Sequence, residues 1–219
     1  MNQIVITAKE ELANCKTTGD IRKLSAKLFR SAEDKSTDNI FFICGELLEQ
    51  REWALGVIAF DFAYRMKNRY GENTFDVFEG WLEKYVRGWG ECDDLCVHAL
   101  GELIRQQLEL VSRMVDWTKR EEFWMRRASA VGLLVSIRRN DYKEINPLQI
   151  SDLLMQDEHY LVLKGYGWML KELAFKEPER VFDYLMANKA VMPRVAFRYA
   201  MQKMDAEKKR MLMIKERIE

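Results

Sequence analysis

Apolar positions recur along almost the whole chain with the 3.6-residue spacing of amphipathic helices. Cap signals agree with this period, because Asn146 precedes Pro147, Asp157 precedes an apolar run, and Pro178 stands where another helix opens. No segment shows the strict alternation of a strand. The pattern therefore predicts an all-α protein with helices near residues 3–15, 18–33, 38–49, 52–69, 74–87, 91–108, 109–117, 121–139, 148–156, 158–176, 179–187, 191–202 and 205–217.

The helices with the strongest apolar faces begin near residues 52, 91, 121 and 158, and a shorter helix follows each of them. Intervals of about 30 to 40 residues are typical of HEAT or armadillo helix pairs. Residue-level self-similarity is weak, so this prediction depends on helix pairing. We expect a right-handed α-solenoid of stacked antiparallel helix pairs, forming one domain over 1–219 with a concave groove.

Composition and charge limit the function classes. The 219 residues are 48% apolar, with 35 basic and 35 acidic side chains, so a nucleic-acid surface must be a local patch. No run of eighteen apolar residues and no signal-peptide pattern occurs, which predicts a cytoplasmic protein without a membrane partner.

The cysteines and histidines offer little for metal or histidine chemistry. Cys92 and Cys96 lie near His98, but the only other histidine is His159, and there is no CxxC pair. A structural zinc site needs a closed set of four ligands. We therefore expect reduced thiols, no metal and no cofactor.

Charged and aromatic side chains stand at unusual positions on two predicted helices. Arg127 falls within the apolar arc of 121–139, where a guanidinium needs an anion or a structural carboxylate partner. Trp168 lies opposite the apolar arc of 158–176, between Lys164 and Lys171. It fits either a groove that stacks on bases and holds phosphates, or packing against the next repeat.

Asp93 lies near the predicted start of 91–108, with Trp89 four residues before it. Carboxylates favour helix N-termini, which is the ordinary explanation for Asp93. Asp94 points further outward on a helical projection and would serve that purpose equally well. An inward Asp93 beside Trp89 therefore indicates a candidate ligand site.

Four segments resemble the AlkD-like family of DNA alkylation repair glycosylases built of HEAT-like repeats. They are WGECDDL (89–95), WMRRASAV (124–131), KGYGWMLKELAFKEPERVFDYL (164–185) and ELLEQREWALGVIAFDFAYRMK (46–67). The resemblance covers residues 38–219, as family-like repeats, and leaves 1–37 as divergent N-terminal helices.

The resemblance implies an enzyme that hydrolyses the N-glycosidic bond of cationic N3- or N7-alkylated purines in duplex DNA. It implies a monomer that holds the duplex in its groove without a cofactor. The matching residues are Asp93 as the catalytic aspartate, Trp89 and Trp168 as groove tryptophans, Arg127 as the active-site arginine, and Lys164 and Lys171 near the DNA backbone.

The chain departs from the family pattern in two places. Gly90 stands where the family has the first aspartate of a Trp-Asp-x-x-Asp pattern. The family's aromatic and basic N-terminal stretch has no match in 1–37, where Lys23, Lys27 and Arg30 are the available cations. The missing N-terminal stretch and the neutral net charge favour a second hypothesis, a catalytically weak HEAT-like protein that binds nucleic acid or a protein partner. A plain helical scaffold is a third.

Overall fold

Helices joined by turns make up the computed structural model, which describes residues 2–214 and contains no strand in that range. The predicted all-α class is confirmed. The chain divides between Gln106 and Gln107 into two compact units. None of the helices within 2–214 is long and apolar enough to cross a membrane.

The first unit begins with three helices whose starts are fixed by side-chain caps. Asn2, Thr17 and Ser36 each accept a hydrogen bond from a backbone N–H of the first turn. The helices of this unit are α1 (Gln3–Leu12), α2 (Thr18–Ser31), α3 (Thr37–Glu49), α4 (Trp53–Arg65), α5 (Thr74–Lys84), α6 (Trp89–Leu95) and α7 (Gly101–Gln106).

Helix α4 forms the centre of the first unit. Residues 55–63 are all buried, and the helix packs against α2, α3 and α6. Its one buried carboxylate, Asp61, accepts hydrogen bonds from Ser25 Oγ at 2.5 Å and Arg65 Nε at 2.8 Å. These bonds offset the cost of burying the charge.

The predicted helix 91–108 is present but differs in two respects. It begins earlier, at Trp89, and a π-helical segment, Cys96–Leu100, separates α6 from α7. Such an insertion changes the direction of the side chains that follow, and π-helical turns are frequent at functional sites. A projection at a constant 100° per residue therefore fails beyond Cys96.

The second unit is arranged around its longest helix, α12. This helix packs against α9, α13 and α14. The helices are α8 (Val111–Trp117), α9 (Phe123–Val131), α10 (Leu134–Arg139), α11 (Pro147–Leu153), α12 (Tyr160–Lys176), α13 (Pro178–Ala187), α14 (Arg194–Ala200) and α15 (Ala206–Met213).

Two predicted helices of this unit have different ends in the structure. The prediction of a single helix over 121–139 is wrong, because a turn at Gly132 separates α9 from α10. In this turn the Leu133 N–H donates to the Ala130 carbonyl at 3.2 Å. Glycine is a poor helix former, which explains the position of the break. The predicted helix 205–217 is observed as α15, and residues 215–217 of that prediction lie outside the described residues.

Candidate active site

The start of α6 is stabilised by Glu91. Its carboxylate accepts hydrogen bonds from the backbone N–H groups of Arg87 at 2.9 Å and Gly88 at 3.2 Å. Asp93 is the fifth residue of α6 and so lies beyond its first turn. Because Glu91 fills the usual role of a carboxylate at a helix start, that role does not account for Asp93.

Trp89 and Asp93 lie in the wall of one pocket in the first unit. This N-terminal pocket has a volume of about 440 Å³ and is lined by Thr18, Trp53, Val57, Trp89, Gly90, Asp93, Asp94 and Val97. Trp89 is 56% exposed, and Asp93 is half-buried. The structure therefore brings together these two residues that the sequence singled out.

Trp53 is a further residue of the pocket, which the sequence reasoning missed. It is the first residue of α4 and is 48% exposed. Its indole Nε1 lies 3.8 Å from the position that a Cβ would occupy at Gly90. Because residues 54–60, which follow it, are all apolar or glycine, periodicity could not separate this exposed tryptophan from the buried residues.

Asp94 occupies a different environment from the one expected. Its side chain is only 13% exposed, forms an ion pair with Arg22, and lies 3.2 Å from His98 Nδ1. The outward direction predicted for Asp94 is wrong, because α2 packs its Arg22 against this side of α6. Arg22 also lies 3.6 Å from Asp61, so the charges beneath the pocket form a connected network.

His98 belongs to this network through Asp94. The hydrogen bond to the Asp94 side chain raises the pKa of His98 and outweighs the opposing effect of burial. Cys92 and Cys96 are buried nearby. Within 2–214, no group of three histidine, cysteine or acidic side chains is arranged to hold a metal ion.

In the second unit, Arg127 links α9 to α12. Its side chain is 5% exposed, and Nη1 donates to the carbonyl of Leu161. A Cβ at Gly165 would lie only 3.1 Å from Arg127 Cγ. Because glycine has no side chain, Gly165 leaves room for the Arg127 side chain to lie against α12. The adjacent Arg126 forms an ion pair of its own, with Nε 2.5 Å from Asp157 Oδ2.

Trp168 lies on the surface of α12 and is half-buried. Its Nε1–H donates to Glu172 Oε1 at 3.1 Å, and the Arg138 guanidinium lies 5.3 Å from the ring centroid. Burial alone would raise the pKa of Glu172, but the Arg138 hydrogen bond and charge, with the Trp168 N–H, lower it. Trp168 is therefore held by its neighbours at the edge of α12, outside the core.

A stripe of aromatic and basic side chains runs along α12. We call it the α12 face, and it consists of Tyr160, Lys164, Trp168, Lys171 and Phe175 of α12 with Tyr199 of α14.

Both lysines of the α12 face contact aromatic rings. Lys164 Nζ lies 4.4 Å from the Tyr160 centroid and 5.6 Å from that of Tyr199. Lys171 Nζ lies 5.9 Å from the Trp168 centroid and 5.8 Å from that of Tyr199. A hydrogen bond to the Tyr160 side chain raises the pKa of Lys164. Sequence reasoning missed Tyr199, because only the tertiary structure places α14 beside α12.

The four residues that the resemblance assigns to the active site, as catalytic aspartate, groove tryptophans and active-site arginine, are divided between the two units. Trp89 and Asp93 lie in the first, whereas Arg127 and Trp168 lie in the second. Their convergence in one groove stays a prediction. Each unit nevertheless holds aromatic and charged side chains at the positions that the resemblance indicates.

The fold matches that of a solved structure described as a predicted DNA alkylation repair enzyme from Enterococcus faecalis. The two share 16% sequence identity and a TM-score of 0.74, and the match covers 87% of each chain. No curated protein matches this chain significantly.

A family model for the DNA alkylation repair enzyme family matches residues 10–204. The chain belongs to this family. The match begins well within 1–37, the segment expected to be divergent. Family membership makes the protein a DNA repair enzyme whose substrate is DNA.

Proposed function

We propose that this protein is a DNA glycosylase that hydrolyses the N-glycosidic bond of cationic N3- or N7-alkylated purines in duplex DNA. One observation carries the proposal: Asp93 and Trp89 line one pocket, together with a second exposed indole, that of Trp53. Such a wall favours a flat, positively charged ligand.

The reaction places modest demands on the protein. An alkylated purine already carries a positive charge, so the base leaves as a neutral molecule when the glycosidic bond breaks and needs no strong acid. Positive charge then develops on the sugar, where the Asp93 carboxylate stabilises the oxocarbenium-like transition state. Water attacks the sugar carbon and loses a proton, and Asp93 orients this water as a weak general base.

The α12 face supplies the proposed contact with the DNA backbone. Lys164 and Lys171 provide charge for phosphates, while Trp168 and the 54% exposed Tyr160 provide stacking surfaces. The side chain of Arg127, on α9, is buried against α12. We therefore propose that Arg127 positions the α12 face. The role of the Arg127 guanidinium as an active-site group that binds a DNA phosphate or fixes the Asp93 carboxylate stays a prediction.

The decisive experiment measures free base released from duplex DNA that contains 7-methylguanine. Wild type is compared with Asp93→Asn and with Asp183→Asn, a control at an exposed aspartate of α13. We expect release by wild type and by the control, and a loss of about 100-fold or more in Asp93→Asn, in line with the loss of one transition-state stabilising group. Equal release by all three would refute the role of Asp93.

A second candidate function is a binding protein with weak or no catalysis, which recognises nucleic acid or a protein. It is favoured by the lysines of the N-terminal segment, which pair with the chain's own carboxylates. Lys27 Nζ lies 2.7 Å from Glu11 Oε2, and Lys23 Nζ lies 3.6 Å from Asp20 Oδ1. DNA binding without release of base in the same assay would support this candidate.

A further inference from the structure

The carboxylate of Glu172 joins Trp168 to Arg138 at the surface of the second unit. Glu172 Oε1 accepts hydrogen bonds from Trp168 Nε1 and from Arg138 Nη2, each at 3.1 Å. Trp168 and Glu172 lie four residues apart and so share one side of α12, while Arg138 comes from the last turn of α10, which packs against α12. The resemblance assigns a role to Trp168 but none to Glu172 or Arg138.

Arg138 contacts the indole of Trp168 from a second direction. Its guanidinium lies 5.3 Å from the ring centroid, which is within the range of a cation–π contact. Glu172 therefore holds the N–H edge of the ring, and Arg138 lies against the ring itself. Because Trp168 is half-buried, the part of the ring that stays in contact with solvent is presented in one orientation.

A glutamate is an unexpected neighbour on a surface that binds DNA. Its charge repels phosphates, and the α12 face otherwise offers lysines to them. A tryptophan outside the core has several rotamers unless its neighbours restrict them, and ordering it during binding costs conformational entropy. A carboxylate that fixes the ring beforehand removes this cost, which gives Glu172 a reason to stand beside Trp168.

We propose that Glu172 is a positioning residue for Trp168 and holds the indole in one orientation before the α12 face binds DNA. This inference deepens the proposed function and rests on it for the contact between that face and DNA. Glu172 acts through the ring of Trp168, which is the group that stacks on the DNA.

Two substitutions of Glu172 separate positioning from charge. Glu172→Gln and Glu172→Ala both remove the negative charge, but only glutamine keeps an oxygen that accepts the Trp168 N–H. Binding of undamaged duplex DNA to the full-length protein is measured by fluorescence anisotropy at one salt concentration. The same pair is made in a Trp168→Phe background, which keeps an aromatic ring without the N–H. Glu207→Gln and Glu207→Ala form the matched control, because Glu207 is an exposed glutamate of α15 in the same unit.

We expect Glu172→Ala to bind DNA about two- to tenfold more weakly than Glu172→Gln, in line with the entropy of ordering one side chain. This difference should vanish in the Trp168→Phe background, and the two Glu207 variants should bind equally. Equal binding by the two Glu172 variants, the same difference with and without Trp168, or no binding of DNA by wild type would each overturn the proposal.

The indole N–H signal of Trp168 in NMR spectra gives a second measurement, which does not depend on DNA. The signal is assigned by its loss in Trp168→Phe. Exchange of this proton with water should be similar in wild type and Glu172→Gln, and faster in Glu172→Ala. An unchanged exchange rate in Glu172→Ala would refute the positioning role.

Release of 7-methylguanine from duplex DNA separates this inference from the proposed function. If DNA binding and the indole signal depend on Glu172 but wild type releases no base, the positioning role stands and the glycosylase proposal fails. If wild type releases base while the two Glu172 variants bind DNA equally, the glycosylase proposal stands and the role of Glu172 is wrong.

Discussion

Replacing Gly167 with alanine tests the close packing of α12 against α14, on which the α12 face depends. A Cβ at Gly167 would lie 2.8 Å from Tyr199 Cβ and 2.9 Å from the Ala196 carbonyl oxygen. Both distances are well below ordinary contact, and both atoms belong to or adjoin the backbone. The helices must therefore separate before an alanine fits.

The expected magnitude follows from a comparison with Gly45, which lies inside α3 and has no atom within 4 Å of its Cβ position. In both helices, alanine gains about 1 kcal/mol of helix propensity over glycine. Only Gly167→Ala has the overpacking cost, which is about 1–3 kcal/mol. We expect Gly45→Ala to stabilise the protein and Gly167→Ala to be less stable than Gly45→Ala by that cost.

Hydrogen exchange followed by mass spectrometry measures the opening free energy of peptides from α3 and α12 separately. This separation matters because the two glycines lie in different units of the chain. Protection should rise in α3 for Gly45→Ala and fall in α12 and α14 for Gly167→Ala. Equal gains in protection in both variants would refute the packing argument.

A displaced α14 would also move Tyr199 away from Lys164 and Lys171, with a functional consequence. Both ammonium groups lie within 6 Å of the Tyr199 ring centroid, at 5.6 Å and 5.8 Å. We expect Gly167→Ala to weaken DNA binding, whereas Gly45→Ala leaves it unchanged.

Three other predictions concern charged groups. Asp157→Asn should destabilise the protein by about 3–5 kcal/mol in urea unfolding, because Arg126 then loses its buried partner. Glu177→Gln, at a more exposed pair, should cost about 0.2–1 kcal/mol. His98 should titrate above 6.5 by NMR, and Asp94→Asn should lower its pKa. Since the folded pKa is raised, the stabilisation from His98 is complete below pH 6.5 and is lost as pH rises through the folded pKa.

Each of these has a result that contradicts it. A similar cost for Asp157→Asn and Glu177→Gln would mean that burial of the Asp157 pair adds nothing. An unchanged His98 titration in Asp94→Asn would remove Asp94 as the cause of the shift. A stability difference between wild type and His98→Gln that grows as pH rises above 6.5 would contradict the sign of the linkage.

Much of the secondary structure was predictable because caps and periodicity act within a few residues. Asn146 caps the helix that opens at Pro147, as predicted. Asp157 is not the cap of α12, because His159 is the N-cap and its side chain accepts the Leu161 N–H, while Asp157 accepts the His159 N–H at 2.8 Å. The same period places Trp168 between two lysines on one side of α12. The break at Gly132 was missed, since a single glycine is a weak local signal against a long apolar period.

The sequence by itself determined the helices, the polar and apolar side of each one, and the resemblance that singles out Asp93 and Trp89. The tertiary structure alone decided which side chains from distant segments meet. It placed Trp53 over Gly90, Arg22 against Asp94, and Tyr199 beside two lysines of α12. The physical reason is that helical periodicity specifies the direction of a side chain on its own helix, whereas the packing of whole helices specifies what lies opposite.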